Sequence, residues 1–295
     1  MNWTAEHIRS QKGKVFLVTG ANTGLGFETS LELAKKDGHV ILAGRNEQRI
    51  DAAIEKILQV YPSASIEAGV VDLADLQSVR AFAETVKARQ NRLDALINNA
   101  GIMFPPPGKT KDGFESQFGV NYVAHFLLTY ELMELLQNTS NSSRIVTLSS
   151  IAHRNGAIDF NNLKLEKPFE KFREYGQSKV ADLIFALELQ RRLERNGLNS
   201  ISVAAHPGIS KTELLRTDKP EMINTVPHMS ANQGALSTLF AATEPLQGGE
   251  YIGPDGDGEM TGYPGLASVV EYAQGEEIAE RLWTYTEREL NIQFL

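Results

Sequence analysis

The sequence of 295 residues contains no cysteine, which excludes disulfide bonds, thiolate metal sites and thiol catalysis. Its six histidines include no pair two to four positions apart, so we expect no metal site. Acidic residues outnumber basic ones by 37 to 29, and the net charge of −8 argues against a nucleic-acid partner. No run of 18 apolar residues occurs, and the first residues lack the apolar segment of a signal peptide. We therefore expect a cytoplasmic protein without a membrane anchor.

The sequence alternates short β-type runs with amphipathic helical patterns. Strands are predicted at 14–19, 39–43, 65–71, 95–98, 144–148 and 201–205, with a last one near 250–252. Helices are predicted from residue 27 onward and at 47–60, 76–89, 118–136, 175–195, 230–243 and 276–290. This alternation predicts an α/β fold, a Rossmann-like, doubly wound parallel sheet flanked by helices. No repeat or linker composition divides the chain, so residues 1–295 are interpreted as a single domain.

A glycine-rich turn, Gly20-Ala-Asn-Thr-Gly24-Leu-Gly26, stands between the first predicted strand and the first predicted helix. Gly20 permits a tight turn, Gly24 permits close approach of a pyrophosphate, and Gly26 permits close packing of helix on strand. The free N–H groups of a helix N-terminus attract phosphate. The turn therefore predicts a dinucleotide site, although an ordinary strand–helix turn can also be rich in glycine.

Tyr175 and Lys179 are four residues apart, and Ser150 precedes them at the end of a predicted strand. Positions i and i+4 share one face of a helix, and a nearby ammonium favours the phenolate form of tyrosine. Tyr175 could then exchange a proton with an alcohol or carbonyl oxygen, which the hydroxyl of Ser150 could hold. A tyrosine and a lysine on a solvated helix face would give the same spacing.

The motifs coincide with the carboxyl ends of the predicted strands, and these ends meet at one edge of a parallel sheet. They are residues 20–26, Arg45, Asp72, residues 99–101, Ser150 and Pro207-Gly208. This common location favours a functional site over a series of unrelated polar positions.

The same motifs resemble those of the short-chain dehydrogenases/reductases, in the same order. They are Thr19-Gly20-x-x-x-Gly24-x-Gly26, Asn98-Asn99-Ala100-Gly101, Asn121, Ser150, Tyr175-x-x-x-Lys179 and Pro207-Gly208-x-x-x-Thr212. Ala43-Gly44-Arg45-Asn46, Ser149-Ser150-Ile-Ala-His153 and His206-Pro207-Gly208 are most similar to the retinol-dehydrogenase-like branch. The resemblance covers the chain from about residue 14 onward, and it implies hydride transfer between NAD(P) and a carbonyl or alcohol substrate.

The resemblance also implies roles for individual residues. Tyr175 is the acid/base, Ser150 rather than Ser149 orients the substrate oxygen, and Asn121 completes a proton relay to Lys179. Lys179 also holds the nicotinamide ribose. Asn99 contacts the adenosine ribose, Asp72 the adenine, and Ile209 and Thr212 the carboxamide. The further cofactor-binding residues that it implies are Gly20, Asn22, Thr23, Gly24, Leu25, Gly26, Asn46, Leu73, Ala100, Gly101, Pro207 and Gly208.

The end of the second strand bears on the choice of cofactor. Enzymes that use NAD place an acidic residue there for the ribose 2′-OH, whereas an arginine accommodates the 2′-phosphate of NADP. In this chain Arg45 and Asn46 follow the strand, and the first acidic residue is Glu47. We therefore expect NADPH to be preferred over NADH.

Two segments that flank the expected site are rich in apolar residues, namely residues 151–174 and the residues after Thr212, where a substrate lid is expected at about 210–230. Their apolar side chains could line a pocket for a lipophilic aldehyde, ketone or alcohol. They could equally pack the two segments against the body of the protein. The sequence also leaves open a homo-oligomer formed through helices 118–136 and 175–195.

Two other functions fit parts of the pattern. A non-catalytic dinucleotide sensor or scaffold could share the fold, but it would not need all of Asn121, Ser150, Tyr175 and Lys179. An isomerase or epimerase of the extended branch resembles Thr-Gly-x-x-Gly-x-x-Gly, but position 23 is Thr here. The sequence favours the reductase.

Overall fold

A computed structural model of the protein describes residues 2–139, 142–212, 214 and 227–295. One eight-stranded sheet, in the order β3-β2-β1-β4-β5-β6-β7-β8, forms its centre. The strands are β1 Val15–Thr19, β2 His39–Gly44, β3 Ser65–Val70, β4 Ala95–Asn98, β5 Arg144–Leu148, β6 Ile201–Ala205, β7 Tyr251–Pro254 and β8 Pro264–Leu266. Strands β1 to β7 pair in parallel, and β8 pairs antiparallel with β7. The predicted α/β fold is confirmed, with β8 as an addition that the sequence did not predict.

Helices cover both faces of the sheet. They are α1 Gly24–Lys35, α2 Glu47–Val60, α3 Leu76–Arg89, the single turn α4 Ser116–Phe118, α5 Ala124–Gln137, α6 Lys171–Arg195, α7 Ala231–Thr243, the single turn α8 Glu271–Gln274 and α9 Glu276–Leu290. Helices α1, α2 and α7 contribute to the core on one face of the sheet. Helices α3, α5, α6 and α9 contribute to the core on the other face.

Helix α6 begins four residues before its predicted start at Tyr175. The carboxylate of Glu170 accepts hydrogen bonds from the backbone N–H groups of Phe172 (3.2 Å) and Arg173 (2.6 Å). This cap satisfies two N–H groups that have no partner within the helix, so the helix can begin at Lys171. Tyr175 therefore lies in the second turn of the helix rather than at its start.

The helix predicted at 118–136 is interrupted near its beginning. Residues Gly119–Val123 form a π-helical turn between α4 and α5, and this turn carries Asn121. A π turn inserts one extra residue into the helical repeat and often marks a functional position. The sequence pattern did not predict this turn, because apolar spacing alone does not distinguish it from an α-helix.

No described helix combines the length and the apolar character needed to cross a membrane.

The expected lid at 210–230 lies largely outside the described residues, because residues 213 and 215–226 are not described. The described residues of the expected site follow strands β1, β4, β5 and β6, at the carboxyl edge of the sheet.

Candidate active site

A cavity of about 840 Å³ opens at the carboxyl ends of the central strands. Most of the residues implicated by the sequence line it together. These are Gly20, Asn22, Thr23, Gly24, Leu25, Gly26, Asn99, Ala100, Gly101, Ser150, Tyr175, Lys179, Pro207, Gly208, Ile209 and Thr212. The structure thus brings residues from both halves of the chain into a single site.

The glycine-rich turn forms one wall of the cavity. Gly20 has a φ of +65°, a left-handed conformation that side chains disfavour. A Cβ on Gly26 would lie 2.4 Å from the carbonyl oxygen of Gly20, so only glycine fits there. The side-chain amide of Asn99 donates to the carbonyl oxygen of Thr19 at 2.6 Å and fixes the turn. The start of α1 therefore lines a concave wall of the cavity. The backbone N–H groups of a helix N-terminus suit a pyrophosphate at this position.

Tyr175 is 8% exposed and lines the cavity. The rings of Phe104 and Tyr175 pack edge to face, with the centroids 5.6 Å apart. Phe104 has a φ of +55°, which is unusual for a residue with a side chain. This strained loop holds an aromatic side chain against Tyr175 and so restricts the orientation of the phenol.

The ammonium of Lys179 is buried on the same helix, one turn beyond Tyr175. It donates to the carbonyl oxygen of Leu148 at 2.9 Å and to the carboxylate of Asp182 at 2.8 Å. Burial disfavours the charge, but Asp182 and Tyr175 outweigh that effect and hold the pKa of Lys179 above its ordinary value. Lys179 is therefore a fixed cation at the base of the cavity.

The two adjacent serines at the end of β5 differ in their surroundings. Ser149 is buried, and its hydroxyl donates to the backbone carbonyl of Lys179 at 2.7 Å. Ser150 is half-buried, and its oxygen accepts from the N–H of Ala152 at 3.2 Å. The Ser150 oxygen keeps further hydrogen-bonding capacity, and its role in orienting the substrate oxygen stays a prediction.

Asn121 is buried in the π turn, and its side chain is fully engaged with protein groups. Its amide donates to the carbonyl oxygen of Ile102 (3.0 Å) and to the hydroxyl of Ser178 (2.9 Å). Its side-chain oxygen accepts from the N–H of Ile102 at 2.8 Å. The side chain thus ties the π turn to α6 and to the loop after β4.

The backbone carbonyl of Asn121 accepts a hydrogen bond from Nδ1 of His125 at 2.7 Å. Nε2 of the same ring lies 2.9 Å from the hydroxyl of Thr19. Burial lowers the pKa of His125 to about 4, so the ring is neutral at pH 7 and accepts from Thr19 at Nε2. His125 therefore connects the carbonyl of Asn121 to the end of β1.

The loop after β6 closes the opposite side of the cavity. The N–H of Ile209 donates to the carbonyl oxygen of Met260 at 2.8 Å. His206 is buried, and its Nε2 lies 3.0 Å from the carboxylate of Glu259. Its other ring nitrogen, Nδ1, accepts from the N–H of Gly208 at 3.2 Å. His206 therefore connects the carboxylate of Glu259 to the loop after β6.

Four predicted cofactor residues lie outside the described lining of the cavity. Arg45 is exposed after β2, and the side-chain oxygen of Asn46 caps α2 by accepting from Arg49 N–H at 2.9 Å. Asp72 accepts from the N–H of Ala74 at 3.0 Å, and Leu73 is part of the core. Arg49 does line the cavity, from the first turn of α2.

The apolar wall of the cavity comes from the loop after β4, from the end of β5, and from the two segments that the sequence singled out. Its members are Ile102, Met103, Phe104, Leu148, Ile151, Phe172 and Leu214. In the segment 151–174, Ile158 and Leu163 are buried in the core, and Phe160 packs on Tyr285. Packing against the body therefore holds for those three side chains, whereas Ile151 and Phe172 of the same segment line the cavity. The segment after Thr212 lies partly outside the described residues, which applies to its apolar residues Leu215, Met222, Ile223 and Val226.

Three functional candidates were missed by the sequence reading. Asp182 could have been found from its spacing, because a carboxylate three positions after Lys179 lies on the same helix face. Arg49 could have been found as a second arginine one helical turn after Arg45. Phe104 had no sequence signal, since its place depends on an irregular loop.

The sequence is similar to known proteins over most of its length. The family model described as short chain dehydrogenase matches residues 14–222. Mouse retinol dehydrogenase 13 is 40% identical over 297 aligned residues, covering 94% of this chain and 83% of that protein. Human retinol dehydrogenase 11 is 39% identical over 275 aligned residues, covering 92% and 84%.

Solved structures show the same fold. An uncharacterised protein from Mycobacterium paratuberculosis superimposes with a TM-score of 0.85 at 35% identity, with both chains covered completely. A short-chain dehydrogenase from Shigella flexneri 2a, determined in complex with NADP, superimposes with a TM-score of 0.65 at 20% identity, covering 82% of this chain and 97% of that one. The latter likeness bears on the fold alone.

Proposed function

This chain belongs to the short-chain dehydrogenase family, and from that premise we propose that it transfers a hydride between NADP(H) and a lipophilic aldehyde or ketone, or the matching alcohol. The chain is an oxidoreductase that acts on CH–OH groups with NAD(P), similar to the retinol dehydrogenases. The cofactor preference, the substrate class and the role of Tyr175 are the proposed parts.

One observation carries the proposal: Tyr175, Lys179 and Ser150 line the same cavity as the glycine-rich turn. Tyr175 can exchange a proton with the substrate oxygen, and the hydroxyl of Ser150 can hold that oxygen by a hydrogen bond. The Lys179 charge favours the phenolate of Tyr175. The wall formed by Gly20, Gly24 and Gly26 fits a dinucleotide pyrophosphate, and the bound cofactor supplies or accepts the hydride.

The preference for NADP(H) is supported by two arginines next to the adenosine end of the expected cofactor site. Arg45 follows β2, and Arg49 lines the cavity from the next helical turn. The forked, permanently charged guanidinium suits a 2′-phosphate.

The lipophilic substrate is supported by the apolar wall and by the names of the relatives, which are retinol dehydrogenases. Phe172 is 63% exposed, and its ring lies 4.6 Å from that of Phe104. An exposed aromatic side chain at the mouth of a cavity offers apolar surface to a ligand. The cytoplasmic location stays a prediction.

The test is a series of linear aldehydes from three to ten carbon atoms with NADPH. Catalytic efficiency should rise with chain length, because each buried methylene contributes up to about 0.8 kcal/mol. Phe172→Ala should reduce efficiency about tenfold for the ten-carbon aldehyde, the equivalent of about 1.4 kcal/mol, and little for the three-carbon one. Leu266→Ala is the matched control, because Leu266 is 74% exposed on the edge strand β8. A flat profile, or equal losses in both variants, would refute the lipophilic pocket.

A further inference from the structure

Helix α6 buries an ion pair between Lys179 and Asp182 one turn beyond Tyr175. The proposed chemistry gives a role to Lys179 but none to Asp182. Asp182 is one helical turn beyond Lys179, and its Oδ2 lies 2.8 Å from the Lys179 ammonium. Both side chains are almost entirely buried. Removing two charges from water is costly, so a pair placed here calls for a physical explanation.

We propose that Asp182 is a positioning residue that holds the ammonium of Lys179 and, by opposing its charge, sets the pH range in which Tyr175 exchanges protons. This inference rests on the proposed function, because it assumes Tyr175 as the acid/base. It deepens that proposal by naming a regulator of the same site.

The geometry fixes the position of the ammonium from two sides. The carbonyl oxygen of Leu148, at the end of β5, accepts one hydrogen bond from Nζ at 2.9 Å. Asp182 accepts another at 2.8 Å, and the hydroxyl of Ser149 anchors the Lys179 backbone carbonyl at 2.7 Å. A lysine side chain is flexible, and these contacts hold it between strand and helix.

The other titratable groups that face the pair are neutral at pH 7. Burial raises the pKa of Tyr122, which precedes α5, and of Tyr251 on β7. Burial lowers the pKa of His125 on α5 to about 4. Among the described residues, Asp182 is therefore the anionic group that faces Lys179.

Asp182 itself is held close to its point of ionisation. Burial raises the pKa of its carboxyl to about 7, although the Lys179 charge acts in the opposite direction. Its Oδ1 has no hydrogen-bond partner within the described part of the protein. A carboxylate with one free oxygen in a buried site is poorly stabilised, which agrees with a pair kept for its charge rather than for stability.

The effect on Tyr175 follows from charge and distance. Tyr175 and Asp182 are seven residues apart, or about 10 Å along the helix axis. A unit charge at that distance in an effective dielectric constant near 20 shifts a pKa by on the order of one unit. An ionised Asp182 opposes the charge of Lys179, so its removal should move the pH dependence of proton exchange at this site to lower pH.

The experiment compares the wild-type chain with Asp182→Asn, which keeps the shape of the side chain and an acceptor oxygen but removes the charge. In the pH profile of kcat/KM for oxidation of 1-octanol with NADP⁺, the limb due to Tyr175 should move down by on the order of one pH unit. Glu188→Gln is the matched control, because Glu188 is a buried carboxylate on α6 that pairs with Arg191 and Arg192. The control should keep the wild-type limb.

A second measurement needs no substrate and separates this inference from the proposed function. Absorbance titration of the tyrosines, with the Tyr175→Phe curve subtracted in each background, gives the ionisation of Tyr175 directly. Asp182→Ser is the second variant if Asp182→Asn does not fold, and the same downward shift is expected. An unmoved or upward-shifted Tyr175 titration in a folded variant would overturn the proposal, even if 1-octanol were oxidised normally.

Discussion

Arg45 and Arg49 are the two arginines near the expected site of the cofactor's 2′-phosphate. The sequence assigned the 2′-phosphate to Arg45, whereas Arg49 is the arginine that lines the cavity. We propose that both act on the same phosphate, because Arg45 directly precedes the cap residue Asn46 and the N–H of Arg49 donates to the side chain of Asn46. A cofactor site at this position should therefore depend on both guanidinium groups.

We predict that Arg45→Ala and Arg49→Ala each weaken NADPH binding by about 1.5–3 kcal/mol, the range for a hydrogen bond to a charged group. NADH binding should be nearly unchanged, because NADH has no 2′-phosphate. The control is Lys56→Ala, which removes an exposed cation from the same helix. Fluorescence titration with each cofactor measures the dissociation constants, and equal losses for NADPH and NADH would contradict the assignment.

At the scale of elements, α9 is the helix that completes the core beside the site. Trp283 packs on Phe126 of α5 and on Phe185 of α6, with centroids 4.7 and 6.0 Å away. Its indole N–H donates to the carbonyl oxygen of Phe294 at 3.1 Å. A subunit interface through this part of α5 and α6, which the sequence left open, would have to displace α9.

We predict that Trp283→Ala lowers the free energy of unfolding by about 3–5 kcal/mol, the range for truncation of a buried large aromatic side chain. Thr284→Ala, at the exposed neighbouring position, should change it by less than about 0.5 kcal/mol. Urea denaturation followed by circular dichroism measures both. A small loss in Trp283→Ala would mean that α9 contributes little to the core.

The elements that the sequence predicted well are those with a strong local pattern. The strand β1 and the glycine-rich turn were predicted because apolar alternation and glycine spacing act over a few residues. Helix α1 begins at Gly24, three residues before its predicted start at residue 27. The π turn at Asn121, the short strand β8 and the left-handed Phe104 were not predicted. They depend on contacts between distant segments, such as the packing of Phe104 on Tyr175, which have no local signal.

At the scale of the whole molecule, the buried histidines link folding to pH. His125 binds a proton in the unfolded chain below its ordinary pKa of 6.5, but in the folded protein only below about 4. Its contribution to stability is therefore present above pH 6.5 and is lost as the pH falls towards 4. His206, whose pKa is also lowered, likewise loses its contribution to stability as the pH falls. Asp182, whose pKa is raised, instead loses its contribution to stability as the pH rises.

A comparison of two variants isolates the effect of His125. We predict that the stability difference between wild type and His125→Gln shrinks by about 2–3 kcal/mol between pH 7 and pH 4.5. His7→Gln, at an exposed histidine, serves as the control. Urea denaturation across this range measures the differences, and a constant difference would contradict the buried, neutral ring.

Proton exchange by Tyr175 is tested most directly by the Tyr175→Phe variant, which removes the phenolic oxygen and keeps the ring that packs on Phe104. We predict that kcat for NADPH-dependent aldehyde reduction falls by about 10²–10⁴-fold, while the dissociation constant for NADPH stays within a few-fold of wild type. Tyr285→Phe, on the C-terminal helix α9, should keep the wild-type kcat. A Tyr175→Phe enzyme that retained more than about a tenth of the wild-type kcat would contradict proton exchange by Tyr175.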